Sequence, residues 1–121
     1  MKILICECSP AVALDLWCLL HEQGHSVCGI AHSTLDGLEK VARFQPDLVM
    51  VDEDWEKGRG RDLVEALTRS EVASVLLSSD LPSAAWGTSA MAVLPKPFSQ
   101  GALASVIRRL DRGLGASGTV A

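Results

Sequence analysis

The sequence predicts an α/β fold built on one parallel sheet. Short β-rich apolar runs alternate five times with segments of helical periodicity, the rhythm of strand–helix units whose helices cover both sheet faces. Leu48-Val49-Met50-Val51 is a continuous apolar run, as expected of a strand buried on both sides. The chain has 121 residues, 48% hydrophobic and 21% charged. That is the size and composition of a single domain with its own core.

The elements follow in order. Lys2–Cys6 is a first strand, ending in Glu7-Cys8-Ser9-Pro10. Pro10 suits the first position of a helix and Ser9 its N-cap. Val12, Leu16, Leu19 and Leu20 recur at helical spacing, and Gly24 stops that helix. Val27–Ala31 is a second strand. Ser33 or Thr34 caps a second helix with Leu35, Leu38, Val41 and Ala42 on its buried face, broken at Gln45-Pro46-Asp47. The third strand ends at Asp52, and Glu53 to Gly60 is a polar loop. Asp62–Arg69 is the third helix and Ser74–Ser78 the fourth strand. Leu81–Met91 has room for one short fourth helix, near Pro82–Thr88, which Gly87 weakens. Ala92–Leu94 is a fifth, edge strand, where Pro95 is tolerated. Ser99 caps a last helix carrying Leu103, Val106, Ile107 and Leu110. Residues 1–112 form the domain and 113–121 a small, polar tail.

Charge and composition exclude some classes of partner. Lys+Arg number 11 and Asp+Glu 15, a net charge of −4, so no strong positive field is available for duplex nucleic acid. No stretch is long and apolar enough to span a bilayer. Met1-Lys2 and the apolar residues after it imitate a secretory leader, but Glu7 and Asp15 interrupt it. The four cysteines (Cys6, Cys8, Cys18, Cys28) crowd the first quarter of the chain, unlike a disulfide framework. The expectation is a cytoplasmic chain with reduced, mostly buried thiols. Cys6-x-Cys8 lacks the second ligand pair a zinc site needs. Negative charge beside Cys8 blunts its use as an oxidant-responsive thiol. Trp55 and Trp86 fall in loops, where an exposed indole marks a contact surface.

Right-handed crossovers bring the carboxyl ends of the strands to one rim, where α/β sheets gather their function. Polar residues interrupt the pattern there: Glu7-Cys8, Asp52, Ser78-Ser79 and Lys96. Carboxylate oxygens suit Mg²⁺. An aspartate can act as nucleophile toward phosphorus. A hydroxyl and an ammonium bind phosphoryl oxygens by hydrogen bond and by charge.

These residues carry a resemblance. Met1–Glu7 (MKILICE) with Ser9-Pro10, Pro46–Asp52 (PDLVMVD), Ser78 and Lys96-Pro97-Phe98, in this order and at strand ends, resemble the receiver domain of two-component response regulators over about residues 1–112. The resemblance implies a flavodoxin-like (βα)5 domain with strand order 2-1-3-4-5. It implies a signalling domain, not an enzyme. A sensor histidine kinase or phosphotransfer protein would give Asp52 a phosphoryl group. Mg²⁺ would sit on Glu7, Asp52 and the backbone at Asp54. Ser78 would bind the phosphoryl group, Lys96 would pair with the acceptor, and the Lys96–Pro97 bond would be cis. Output would pass to a downstream protein by contact, with no nucleic acid or membrane partner on this chain. The oligomeric state stays open, a homodimer included.

The departures from the family pattern are specific. Cys8 replaces the usual second carboxylate, and a soft thiol suits a hard cation poorly, so Mg²⁺ binding is weakened or lost. The loop after Asp52, Glu-Asp-Trp-Glu-Lys-Gly-Arg-Gly, lacks the family's proline. Val93 stands where receivers carry an aromatic switch, and the chain has no Tyr. The short Ser78–Lys96 interval leaves a shortened or distorted fourth helix. The alternative is therefore a degenerate receiver that binds a protein partner without phosphorylation.

Overall fold

Alternation along each strand sets the architecture, because successive side chains point to opposite sheet faces. In this computed structural model, which describes residues 1–79 and 90–115 (side chains to 112), five strands form one sheet. They are β1 (Lys2–Cys6), β2 (Ser26–Ala31), β3 (Leu48–Asp52), β4 (Ser74–Ser78) and β5 (Ala92–Pro95). Every pairing is parallel and the order is β2-β1-β3-β4-β5, the expected one. The β1–β2 register slips by one residue between Ile3 and Leu4.

One layer of core joins Ile3, Ile5, Leu48, Met50, Val75, Leu77 and Leu94 to α1 (Pro10–Glu22) and the C-terminal helix, through Leu16, Leu20, Leu103 and Ile107. The intervening strand residues, Leu4, Cys6, Val49, Val51 and Leu76, pack with Leu63, Val64 and Leu67 on the opposite face. A run such as Leu48–Val51 is thus apolar throughout because both faces are covered.

The helix ends follow local chemistry. The Ser9 hydroxyl accepts the Val12 N–H at 3.4 Å, and Pro10 opens α1. Gly24, at φ 87°, turns the chain out of it, a conformation that costs glycine little. Ser33, not Thr34, caps α2 (Thr34–Phe44), accepting the Asp36 N–H at 3.0 Å. The Lys96–Pro97 bond is cis.

Four expectations change. In α2 the inward face is Thr34, Gly37, Val41 and Phe44; Leu35 and Leu38 are exposed and Ala42 also faces solvent. Thr34, bonded to Glu56 and Trp55, turns this side of the helix inward, and Gly37 is buried at its middle, where a Cβ would make ordinary contact 3.6 Å from both Cys6 Sγ and the Ala31 Cβ. Second, the polar stretch after Asp52 contains one tight turn, α3 (Trp55–Gly58), with left-handed backbones at Glu56 and Lys57, and α4 runs Gly60–Arg69, two residues longer than expected. Third, Trp55 is completely buried rather than presented for contact. Fourth, only Cys6 is a buried thiol; Cys28 is half-buried, and Cys8 and Cys18 are exposed. The last helix, α5, spans Gln100–Gly115. The expected fourth helix, Trp86 and the end of the tail lie outside the described residues. Among the described residues, no helix is long and apolar enough to cross a membrane.

Candidate functional site

Strand parity gathers three charged residues on one side of the rim. Glu7 continues the series Ile3, Ile5. Asp52 continues Leu48, Met50. Lys96 lies two residues beyond Leu94. All those apolar residues belong to the layer under α1 and α5. The charged residues are therefore the polar ends of core-facing rows, and Glu7 and Asp52 are each only 4% exposed.

The Lys96 ammonium nitrogen lies 3.4 Å from Asp52 Oδ1 and 3.5 Å from Glu7 Oε2. The β5 backbone fixes its place: the Lys96 N–H donates to the Ser78 carbonyl at 2.8 Å. Asp52 Oδ1 also accepts the Asp54 N–H at 3.2 Å. Glu7 Oε1 accepts the Ser9 N–H at 3.2 Å, while its buried Oε2 makes no hydrogen bond. Burial pushes the Glu7 carboxyl above its ordinary value, because desolvation penalises the ion. The facing Asp52 carboxyl pushes the same way, and the Ser9 N–H and the Lys96 charge pull it back.

The structure thus brings together Glu7, Asp52 and Lys96. Ser78 is buried at the end of β4, one residue past Leu77, the neighbour of Asp52 across the β3–β4 ladder. It therefore takes the parity of Leu76 on the opposite face. The row on the Asp52 side continues to Ser79, which lines a cavity with Lys96. Asp54 contributes its backbone, and its side chain is exposed. Cys8 follows the strand into solvent. Two facing carboxylates, one with an oxygen that makes no hydrogen bond, are donors suited to a hard cation. Among the described residues no group of three or more Asp, Glu, His or Cys gathers as a metal cluster.

Sequence reasoning missed how the loop after Asp52 is held. Gly60 packs on the acceptor strand so closely that a Cβ would stand 2.2 Å from the Asp52 carbonyl oxygen and 2.8 Å from the Glu53 Cα. The signal was the glycine pair Gly58 and Gly60, read only as loop punctuation. Glu56 and Lys57 have left-handed backbones, with φ of 45° and 61°. The Glu56 carboxylate accepts the Thr34 N–H at 2.7 Å and the Thr34 hydroxyl at 2.9 Å; the Trp55 indole N–H donates to that hydroxyl at 3.1 Å.

No family model matches the sequence. The transcriptional regulatory protein PdtaR of Mycobacterium tuberculosis is 29% identical over 103 residues, covering 81% of this chain and 50% of that protein. The chain therefore spans about half the length of the curated relatives it matches. The crystal structure of the response regulator PhyR from Brucella abortus superposes with a TM-score of 0.85 at 22% identity, over 96% of this chain and 49% of that one. The Vibrio cholerae chemotaxis protein CheY4 gives a TM-score of 0.78 at 20% identity, over 90% of this chain and 97% of that one. With its five-stranded sheet in the order 2-1-3-4-5 and Asp52 and Lys96 meeting at the rim, this chain has the fold of a response-regulator receiver domain.

Proposed function

We propose that the chain is a receiver that takes a phosphoryl group on Asp52 from a histidine-bearing donor and signals by protein contact. The single observation that carries this reading is the Lys96 ammonium 3.4 Å from a buried Asp52 carboxylate that ends the central strand. An Asp52 oxygen attacks phosphorus. The new P–O bond forms as the P–N bond of the donor breaks, and its electron pair returns to the imidazole. Lys96 offsets charge on the transferred group. A hydroxyl at the end of the adjacent strand, Ser78 or the following Ser79 that continues the Val75, Leu77 row, would bind one of its oxygens. Mg²⁺, when bound, would be held by Glu7, Asp52 and the backbone at Asp54, and would neutralise phosphoryl charge. A sensor histidine kinase or phosphotransfer protein is the donor class, and the output is a protein partner.

Cys8 favours a second reading, a receiver that binds its partner without phosphorylation, because it removes one hard ligand. Incubation with Mg²⁺ and acetyl phosphate, read by intact mass, separates the two. A gain of one phosphoryl group that Asp52→Asn abolishes supports acceptance; no gain at saturating Mg²⁺ supports the second reading. Cys8→Asp restores the missing ligand and is expected to tighten Mg²⁺ binding by roughly tenfold or more, within the range that neighbouring ligand changes produce. Unchanged affinity would place position 8 outside the cation site.

A further inference from the structure

Receiver chemistry depends on the loop that follows the acceptor, and in this chain that loop is tied to α2 by a set of contacts with no role in the reading above. Its path begins at the site. The Asp54 N–H holds Asp52 Oδ1 at 3.2 Å, and Asp54 leads directly into Trp55 and Glu56. Two consecutive residues, Glu56 and Lys57, are non-glycine residues with left-handed backbones. Such backbones persist only where surrounding contacts over-determine them. Here the contacts are at hand. Thr34, the first residue of α2, gives both its N–H and its hydroxyl proton to the two oxygens of Glu56, at 2.7 and 2.9 Å. The same hydroxyl oxygen accepts the Trp55 indole N–H at 3.1 Å, and the indole is wholly buried among Val51, Leu63, Val64 and Leu76. One hydroxyl thus closes two hydrogen bonds on adjacent residues of the loop.

We infer that Thr34 is a positioning residue for the Asp52 carboxylate: through Glu56 and Trp55 it fixes the loop whose Asp54 N–H holds Asp52 Oδ1. The inference rests on the reading of Asp52 as phosphoryl acceptor for its rate consequence, and on the hydrogen bonds alone for its structural one. Thr34 touches neither Asp52 nor a reacting group. It acts by holding Glu56 and Lys57 in backbone conformations that non-glycine residues otherwise disfavour.

Thr34→Val keeps the shape and removes the hydroxyl; Thr34→Ser keeps the hydroxyl. Both are compared with the wild-type chain by the maximal rate and half-saturating concentration of acetyl phosphate labelling, and by the Asp54 amide and Trp55 indole resonances in ¹⁵N–¹H spectra. Thr34→Val is expected to lower the maximal rate about three- to tenfold, the equivalent of one or two lost hydrogen bonds. The half-saturating concentration should change little, both resonances should shift, and Thr34→Ser should restore rate and spectrum. Labelling at the wild-type rate with an unmoved Asp54 amide overturns the inference. If the wild-type chain takes no label, the acceptor reading fails and the spectra alone decide: an Asp54 amide unmoved in Thr34→Val overturns the positioning role, and one that moves and returns in Thr34→Ser supports it. Should Thr34→Val fail to fold, Glu56→Gln, which weakens the same contacts without touching the core, is held to the same two outcomes.

Discussion

The Lys96 ammonium lies 3.4 Å from Asp52 Oδ1 and neutralises a carboxylate that is only 4% exposed. It meets Glu7 as well, so a single cation serves two buried acids. Removing it leaves both uncompensated. Breaking a fully buried pair costs about 3–5 kcal/mol, and the partial exposure of Lys96 lowers this to about 1–3 kcal/mol. Lys96→Met should therefore lose about that much stability at pH 7 in urea unfolding, and less in acid, where Glu7, held above its ordinary value by burial, takes up its proton. An equal loss at both pH values would show that the lysine acts through packing.

Glu7 fixes a pH dependence. Its carboxyl is held above the ordinary value of 4.5 by burial and by Asp52. The folded chain then binds the proton more tightly than the unfolded chain. The resulting stability is fully present below pH 4.5 and is lost as pH rises through the higher folded-state value. Glu7→Gln keeps a neutral side chain at all pH values. Its stability relative to wild type should therefore improve as pH rises above 4.5. A difference that is flat with pH contradicts this.

Gly60 and Gly58 separate two kinds of glycine requirement. At Gly60 a Cβ would meet the Asp52 carbonyl oxygen at 2.2 Å, so backbone must move. At Gly58, with φ 87°, nothing lies within 4 Å, and only the left-handed backbone is penalised. Gly58→Ala should cost about 1 kcal/mol. Gly60→Ala should cost about 2–4 kcal/mol, in the range of severe overpacking. Denaturant midpoints of the two variants check the order.

The thiols should sort by exposure. Cys8 and Cys18 are open to solvent. Burial pushes the Cys28 thiol up, and Cys6 is pushed up to about 12. Since the thiolate is the nucleophile, native alkylation should modify Cys8 and Cys18 first, Cys28 more slowly and Cys6 only on unfolding. Peptide mapping over time reads the order; early loss of Cys6 would show an opening of the sheet.

Much of the fold was legible in the sequence for a physical reason. Strand runs such as Leu48–Val51 are buried on both faces, so their continuous apolar character marks them as central strands. The rim was legible because Glu7, Asp52 and Lys96 are polar residues ending apolar rows. What stayed hidden depends on contacts distant in the chain. α2 is turned with Thr34 toward Glu56 and Trp55 and with Gly37 toward Cys6 and Ala31, whereas the apolar pattern of Leu35, Leu38 and Ala42 pointed elsewhere. Trp55 reads as a loop aromatic in a polar stretch; its burial comes from packing with Val51, Leu63, Val64 and Leu76, and its hydrogen bond to Thr34, 21 residues away, satisfies the indole N–H.

The central claim is that Asp52, not a neighbouring acid, receives the phosphoryl group. Glu53 and Asp54 follow it directly in sequence, so a change in total mass does not distinguish them. Borohydride reduction of the acyl phosphate, followed by peptide sequencing in the mass spectrometer, does. The account predicts homoserine at position 52 after labelling with acetyl phosphate and Mg²⁺. The reduced residue at position 53 or 54, or no reduced residue at all, would contradict it.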